Sequence, residues 1–185
     1  MRDKIKIAEQ IFKLYEKYGQ ADYIGEPVSQ IEHMSQAAQL AVDEGYDDEV
    51  VVAAFFHDIG HICVTANEQN SMYGFGTKNH EQIGADFLRD LGFPERVARL
   101  VENHVQAKRY LTFVSADYYD KLSEASKRTL EFQGGKMTKD EARHFENDPL
   151  FDLIIRIRQW DEMAKVINIP LMDMNSLKER VIRVL

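Results

Sequence analysis

Val51-Val52-Ala53-Ala54-Phe55-Phe56-His57-Asp58-Ile59-Gly60-His61 is the stretch on which the reading of this chain turns. An apolar run ends in an imidazole and a carboxylate side by side. Burying that pair is costly unless something neutralises it. A divalent or trivalent metal is the usual partner. His33, His80, His104 and Asp161 supply further N/O ligands elsewhere. Together they read H…HD…H…H…D, enough for two metals sharing one carboxylate.

Working outward, the pattern is helical nearly throughout, which predicts an all-α fold. Ile5, Ile7, Ile11, Phe12, Leu14 and Tyr15 give a first helix its apolar face. A turn follows from Gly19 to Pro27. A second helix carries His33 and stops at Gly45. Asp47 or Asp48 caps a third, which runs to His57-Asp58 and ends near Gly60. Residues 62–78, rich in Asn, Gly and Ser, read as a loop. A fourth helix runs from His80 to Gly92, and Pro94 opens a fifth. Residues 111–150 look less regular, broken by Gly134-Gly135 and Pro149. A helix over roughly Phe151 to Val166 and a short one around Leu177, Val181 and Ile182 close the chain. No repeat or linker divides it, so residues 1–185 read as one domain.

Helix phase puts each ligand on an inward face, since residues three, four or seven apart share a side. His33 goes with Ala37 and Leu40. His80 goes with Ile83, Phe87 and Leu91. His104 goes with Val97, Leu100 and Val101, and Asp161 with Ile154, Ile157 and Ala164. A lone inward His is more often a satisfied core residue. Four His and two Asp all turned inward are not, because a buried Asp161 needs a specific cation. Imidazole and carboxylate without thiolate suit iron, manganese, zinc or nickel.

Composition sets the limits. The chain is 44% hydrophobic and 29% charged, with net charge −8 and pI about 5.3. That argues against nucleic acid or an anionic membrane as partner. The single Cys63 rules out an internal disulfide and a thiolate cluster, and reads as a packed thiol. No signal peptide or membrane span is legible, so the expected location is the cytoplasm. Lys108 lies four residues after His104, and Arg158 three before Asp161. Cations beside metal ligands point to a pocket for an anion such as phosphate or phosphonate. Lys78, Lys127, Arg128 and His144 read as surface.

The H…HD…D arrangement resembles the HD-domain superfamily, a helical bundle that holds one or two metals. His33, His57, Asp58 and Asp161 match its basic motif, and His80 and His104 the pair inserted in dinuclear members. Y-I-G-E (23–26), S-Q-I-E-H (29–33), H-D-I-G-H (57–61), H-V-Q-A-K-R-Y (104–110), S-E-A-S-K-R-T-L (123–130) and R-Q-W-D-E (158–162) narrow the match. They are similar to the mixed-valence diiron oxygenases that cleave C–P bonds of hydroxylated organophosphonates. The resemblance covers about residues 20 to 165.

That resemblance implies one iron on His33, His57 and Asp161, another on His80 and His104, and Asp58 bridging. An Fe(II)/Fe(III) pair would use O2 to oxidise C1 of a 1-hydroxyphosphonate, releasing phosphate and a carboxylic acid such as glycine. A separate hydroxylase would supply the substrate. Lys108, Ser126 and Arg158 would hold the phosphonate, with His61 and Thr129 nearby. Tyr23 would be a labile ligand or lid, and Glu26 would face a substrate ammonium. Without the resemblance, Tyr23 and Glu26 read as loop residues beside a helix start, where an acid is favourable. These roles favour 2-amino-1-hydroxyethylphosphonate slightly over its trimethylammonium relative. For the latter, Tyr23, Tyr73, Phe75 and Trp160 are candidate aromatic walls. The alternative activity is an HD-type phosphohydrolase acting on a nucleotide or phosphate ester. A non-catalytic metal sensor is a third reading.

Overall fold

The computed structural model describes residues 3–23, 25–64, 72 and 76–185. The helices are α1 (Lys4–Tyr18), α2 (Gln30–Asp43), α3 (Asp48–Phe56), α4 (His80–Leu91), α5 (Glu95–Val114), α6 (Ala116–Lys121), α7 (Glu124–Phe132), α8 (Lys139–Glu146), α9 (Phe151–Met163) and α10 (Met174–Val184). No strand occurs among the described residues. The all-α expectation is met.

The organising element is α3. Asp47 caps it by accepting from the Val50 amide, so Asp47, not Asp48, is the cap. Val50 to Phe56 are all fully buried. A helix that is apolar all round has to be central, and α2, α5, α9 and α10 pack around this one. Tyr15 of α1 stacks on Phe55 at 4.5 Å between ring centres. One cluster of buried side chains runs from Ala8 in α1 to Val181 in α10.

The helix ends where chemistry begins. Regular α-geometry stops at Phe56, and a single 3-10 turn, Ile59–His61, follows Asp58. Such changes of pitch often mark functional positions. Here it turns Asp58 out of the apolar column. The long loop expected over 62–78 has only residues 62–64, 72 and 76–78 described; the rest lies outside the described residues.

Residues 111–150 correct the sequence reading. They hold the end of α5 and all of α6, α7 and α8. These helices are short, and each starts on its own cap: Ser115, Ser123 and Thr138 accept from backbone amides of the first turn. In segments this short, one or two turns do not build a readable period. The α9 helix ends at Met163 rather than Val166.

Candidate metal centre

All six expected ligands converge. Each is at most 4% exposed, and they come from α2, the end of α3, α4, α5 and α9. Asp58 sits in the middle with its two oxygens facing opposite ways. Its Oδ2 lies 3.6 Å from His33 Nε2 and 3.5 Å from His57 Nε2. Its Oδ1 lies 3.2 Å from His80 Nε2 and 3.3 Å from His104 Nε2. Asp161 Oδ1 joins the first side, 3.4 Å from His33 Nε2.

The proton positions follow from the other ring nitrogens. His33 Nδ1 donates to the Ala164 carbonyl at 2.9 Å, and His57 Nδ1 to the Ala54 carbonyl at 2.7 Å. His80 Nδ1 donates to the Thr77 carbonyl at 3.3 Å, and His104 Nδ1 to the Val101 carbonyl at 2.7 Å. A carbonyl only accepts, so each Nδ1 carries the proton and each neutral Nε2 is a bare lone pair. His33 and His57 Nε2 are 2.9 Å apart, and His80 and His104 Nε2 3.2 Å apart. Paired lone pairs at that distance beside a carboxylate need a cation between them. Asp161 Oδ1 adds a buried oxygen with no protein donor. The donor set therefore fits a metal on each side of Asp58, and the backbone carbonyls are the outer partners that fix metal-binding imidazoles.

The electrostatics agree. Burial works against ionising Asp58, but His57, His104 and His80 hold its pKa well below the usual range. Burial likewise opposes ionised Asp161, and Arg158 and His33 outweigh it. His57 is lowered by burial yet lifted by Asp58 to about 9. Without metal, a proton takes the cation's place.

His61 differs from the ligands. Its Nδ1 accepts from the Thr77 amide at 3.0 Å. Its pKa is lowered to about 3, first by burial and then by His80. The neutral ring thus carries its proton on Nε2, as a donor. Asp58, His61 and His80 could by distance alone share an ion. With its proton on Nε2, His61 presents a donor there, whereas His80 and His104 present lone pairs.

A cavity of about 60 Å³ opens beside the ligands, lined among others by Tyr23, Glu26, His61, Lys108, Ser126, Thr129 and Arg158. The seven residues named all belong to the expected pocket. Tyr23 stacks on His33 at 3.8 Å. Burial first, then the charge of Asp58, raises its hydroxyl pKa well above 10.0, so it is protonated. Lys108 Nζ donates to Thr129 Oγ1 at 2.7 Å and to Gln133 Oε1 at 3.0 Å. Ser126 and Thr129 lie on α7, the helix the sequence left unread, and Gln133 caps its C-terminal end.

Two pocket residues are already engaged. Arg158 binds Asp161 and Glu162, donates to Tyr118 Oη at 2.8 Å, and reaches Ser126 Oγ at 3.3 Å. It anchors the candidate ligand Asp161 as well as facing the cavity. Glu26 pairs with Lys165 at 3.0 Å. The sequence expectation left Glu26 free for a substrate ammonium, and its charge is instead met from within the chain. Trp160 is no pocket wall: it is fully buried, edge-on to Tyr46, with its indole N–H on Glu44. Tyr73 and Phe75 lie outside the described residues.

Sequence reasoning missed Gln30, Gln133 and Lys165 in the cavity wall. Lys165 was findable: it stands four residues after Asp161, as Lys108 stands four after His104. His144, Lys78 and Arg128 are exposed as expected, and Cys63 is half-buried.

A helical bundle with this His/Asp cluster defines the HD-type metal-binding class, and the HD domain model matches residues 30–149. The chain belongs to that family. It is 39% identical over 159 residues to the [1-hydroxy-2-(trimethylamino)ethyl]phosphonate dioxygenase (glycine-betaine-forming) of Leisingera caerulea, covering 86% of this chain and 80% of that one. It is 37% identical over 171 residues to the hydroxymethylphosphonate dioxygenase of Gimesia maris, covering 92% and 84%. An uncharacterised protein of Acanthamoeba polyphaga mimivirus is 41% identical over 168 residues, covering 91% and 77%.

Proposed function

We propose that residues 1–185 form one metal-dependent oxygenase unit that cleaves the C–P bond of a 1-hydroxyphosphonate. The observation that carries this reading is the two-faced Asp58, with a His pair on each side and a cation-lined cavity beside it. The names of two relatives, both dioxygenases of hydroxylated phosphonates, supply the substrate class. His33, His57 and Asp161 would hold one iron, His80 and His104 the other, and Asp58 both. The iron pair, when bound, supplies Lewis acidity and redox chemistry with O2.

The overall reaction balances without an added reductant. R–CH(OH)–PO3H2 and O2 give R–COOH and H3PO4. C1 rises by four electrons, O2 accepts four, and the C–P bond is replaced by a P–O bond. The C1 hydroxyl has to be present beforehand, so a separate hydroxylation precedes this step.

The chain's own residues position the substrate. Lys108 and the His61 Nε2–H are donors for phosphonate oxygens, with the Ser126 and Thr129 hydroxyls beside them. Arg158 adds positive charge behind Ser126 while it holds Asp161 in place. Tyr23 lies over His33 with its protonated hydroxyl toward Asp58 and covers the His33 side of the cluster, while Asp58, His80, His104 and Asp161 line the cavity. Substrate entry requires it to swing aside, as a lid would.

The test is phosphate release by the anaerobically iron-loaded protein, from a 1-hydroxyphosphonate and from phosphate esters, with and without O2. The reading expects release from the hydroxyphosphonate only, and only with O2. Ester hydrolysis in the absence of O2 would establish the phosphohydrolase instead. Stoichiometric metal with no turnover of any of them would establish the sensor.

A further inference from the structure

We propose that Lys165 sets which substituent the substrate carries. Its ammonium fills the place beside Glu26, so the site takes a 1-hydroxyphosphonate with an uncharged substituent, such as hydroxymethylphosphonate, and rejects one bearing an ammonium group. The inference rests on the oxygenase reading above and concerns the same cavity.

Lys165 is not a loose surface lysine. The carbonyl of Ala164 before it accepts from His33 Nδ1 at 2.9 Å. The residue after it, Val166, gives its amide to Gln36 Oε1 at 3.1 Å and takes the Gln36 amide on its carbonyl at 2.9 Å. The backbone is thus tied to α2 on both sides of Lys165. Its Nζ lies 3.0 Å from Glu26 Oε1 and 3.4 Å from Glu162 Oε2. The Lys165 and Glu26 side chains are only 15% and 11% exposed, and both line the cavity.

A largely buried carboxylate that already has its counter-ion offers little to a second cation. An incoming ammonium would either displace Nζ or lie beside a like charge, and both are unfavourable where water is scarce. Hydrogen or a short alkyl group on C1 meets neither obstacle. The two named relatives differ on this point, one taking a trimethylammonium compound and the other hydroxymethylphosphonate. Their identities of 39% and 37% do not choose between them. The Glu26–Lys165 pair does.

The experiment is anaerobic calorimetry on iron-loaded protein with hydroxymethylphosphonate, 1-hydroxyethylphosphonate and 2-amino-1-hydroxyethylphosphonate, so that no turnover is needed. Wild type should bind the two uncharged compounds at least about tenfold tighter than the amine. Lys165→Met frees Glu26, and the substrate ammonium can then stand in for the lost one. The ratio should move toward the amine by about tenfold or more, and adding Glu26→Gln should cancel that gain. Lys165→Arg should keep the wild-type order. If Lys165→Met does not fold, wild type and Glu26→Gln alone decide, the latter weakening the amine by a larger factor than it changes either uncharged ligand. An amine bound as tightly as the uncharged compounds by wild type, or a ratio unmoved in Lys165→Met, overturns the proposal. Phosphate release with O2, read in parallel, tests the oxygenase reading separately. The expected binding order without phosphate release leaves Lys165 standing and removes the oxygenase. No binding of any of the three overturns both.

Discussion

Lys108 is 2% exposed, and its pKa is lowered well below 10.5, first by burial and then by the Arg158 charge. A lysine that loses proton affinity on folding costs stability wherever the unfolded chain is protonated. That cost is absent above the unfolded value of 10.5 and grows as pH falls below it. Lys108→Met should therefore leave the metal-free protein as stable or more stable at pH 7, by roughly 1 kcal/mol. The gain should shrink toward pH 10, and affinity for a phosphonate should fall at least about tenfold. Denaturant curves at the two pH values, with phosphonate titrations, check both halves. Arg158 should behave in the opposite way. Arg158→Ala strands Asp161 and Glu162 and should destabilise the protein by about 3–5 kcal/mol; loss of phosphonate affinity with unchanged stability would show that its ion pairs are idle. Both cations were legible from their spacing to a ligand. Lys165 obeys the same spacing from Asp161, so the same rule reaches it, although it stands past the end of α9.

At the scale of elements, the site depends on how closely the 3-10 turn approaches α4. A Cβ on Gly60 would lie 1.9 Å from the His80 carbonyl oxygen, and one on Gly84 would meet Ile59 Cγ2 at 3.1 Å. Backbone cannot yield as a side-chain tip can. Gly60→Ala should push the start of α4 away and carry His80 with it, at a cost of about 1–3 kcal/mol or more. Metal on the His80–His104 side should be lost before metal on the His33–His57 side, as equilibrium dialysis would show. Retention of all the metal would mean that the close approach is slack. Helices α2, α4, α5 and α9 were readable because a buried stripe of three or more turns leaves a period, and α3 because its unbroken apolar run ends in His57-Asp58. On α4 the buried line is His80, Gly84 and Leu88, while Ile83, Phe87 and Leu91 are only partly buried. The expected stripe was thus one residue out of phase, because Gly84 carries no apolar side chain to mark it. Helix α7, which carries Ser126 and Thr129, has only nine residues and just two of them buried, Ser126 and Leu130, so no period showed.

Across the whole molecule, one buried cluster converges on α3, and the proposed ligands His57 and Asp58 follow its last turn, so metal binding would be coupled to the fold. The metal-free protein substitutes a proton. His57, raised from 6.5 to about 9, contributes stability that is fully present below pH 6.5 and is lost as pH rises through 9. The melting temperature of metal-free protein should accordingly fall by several degrees between pH 6.5 and 9. That of loaded protein should not, since the metal excludes that proton; parallel melting curves that fall together would contradict this. The account stands on Asp58 serving two metals at once, and the direct measurement is iron bound per chain after anaerobic loading, in wild type, His104→Ala and Asp58→Ala. The expectation is about two irons in wild type, about one in His104→Ala and almost none in Asp58→Ala. A single tightly bound ion in active wild-type protein, or an Asp58→Ala variant that still holds both, would contradict it.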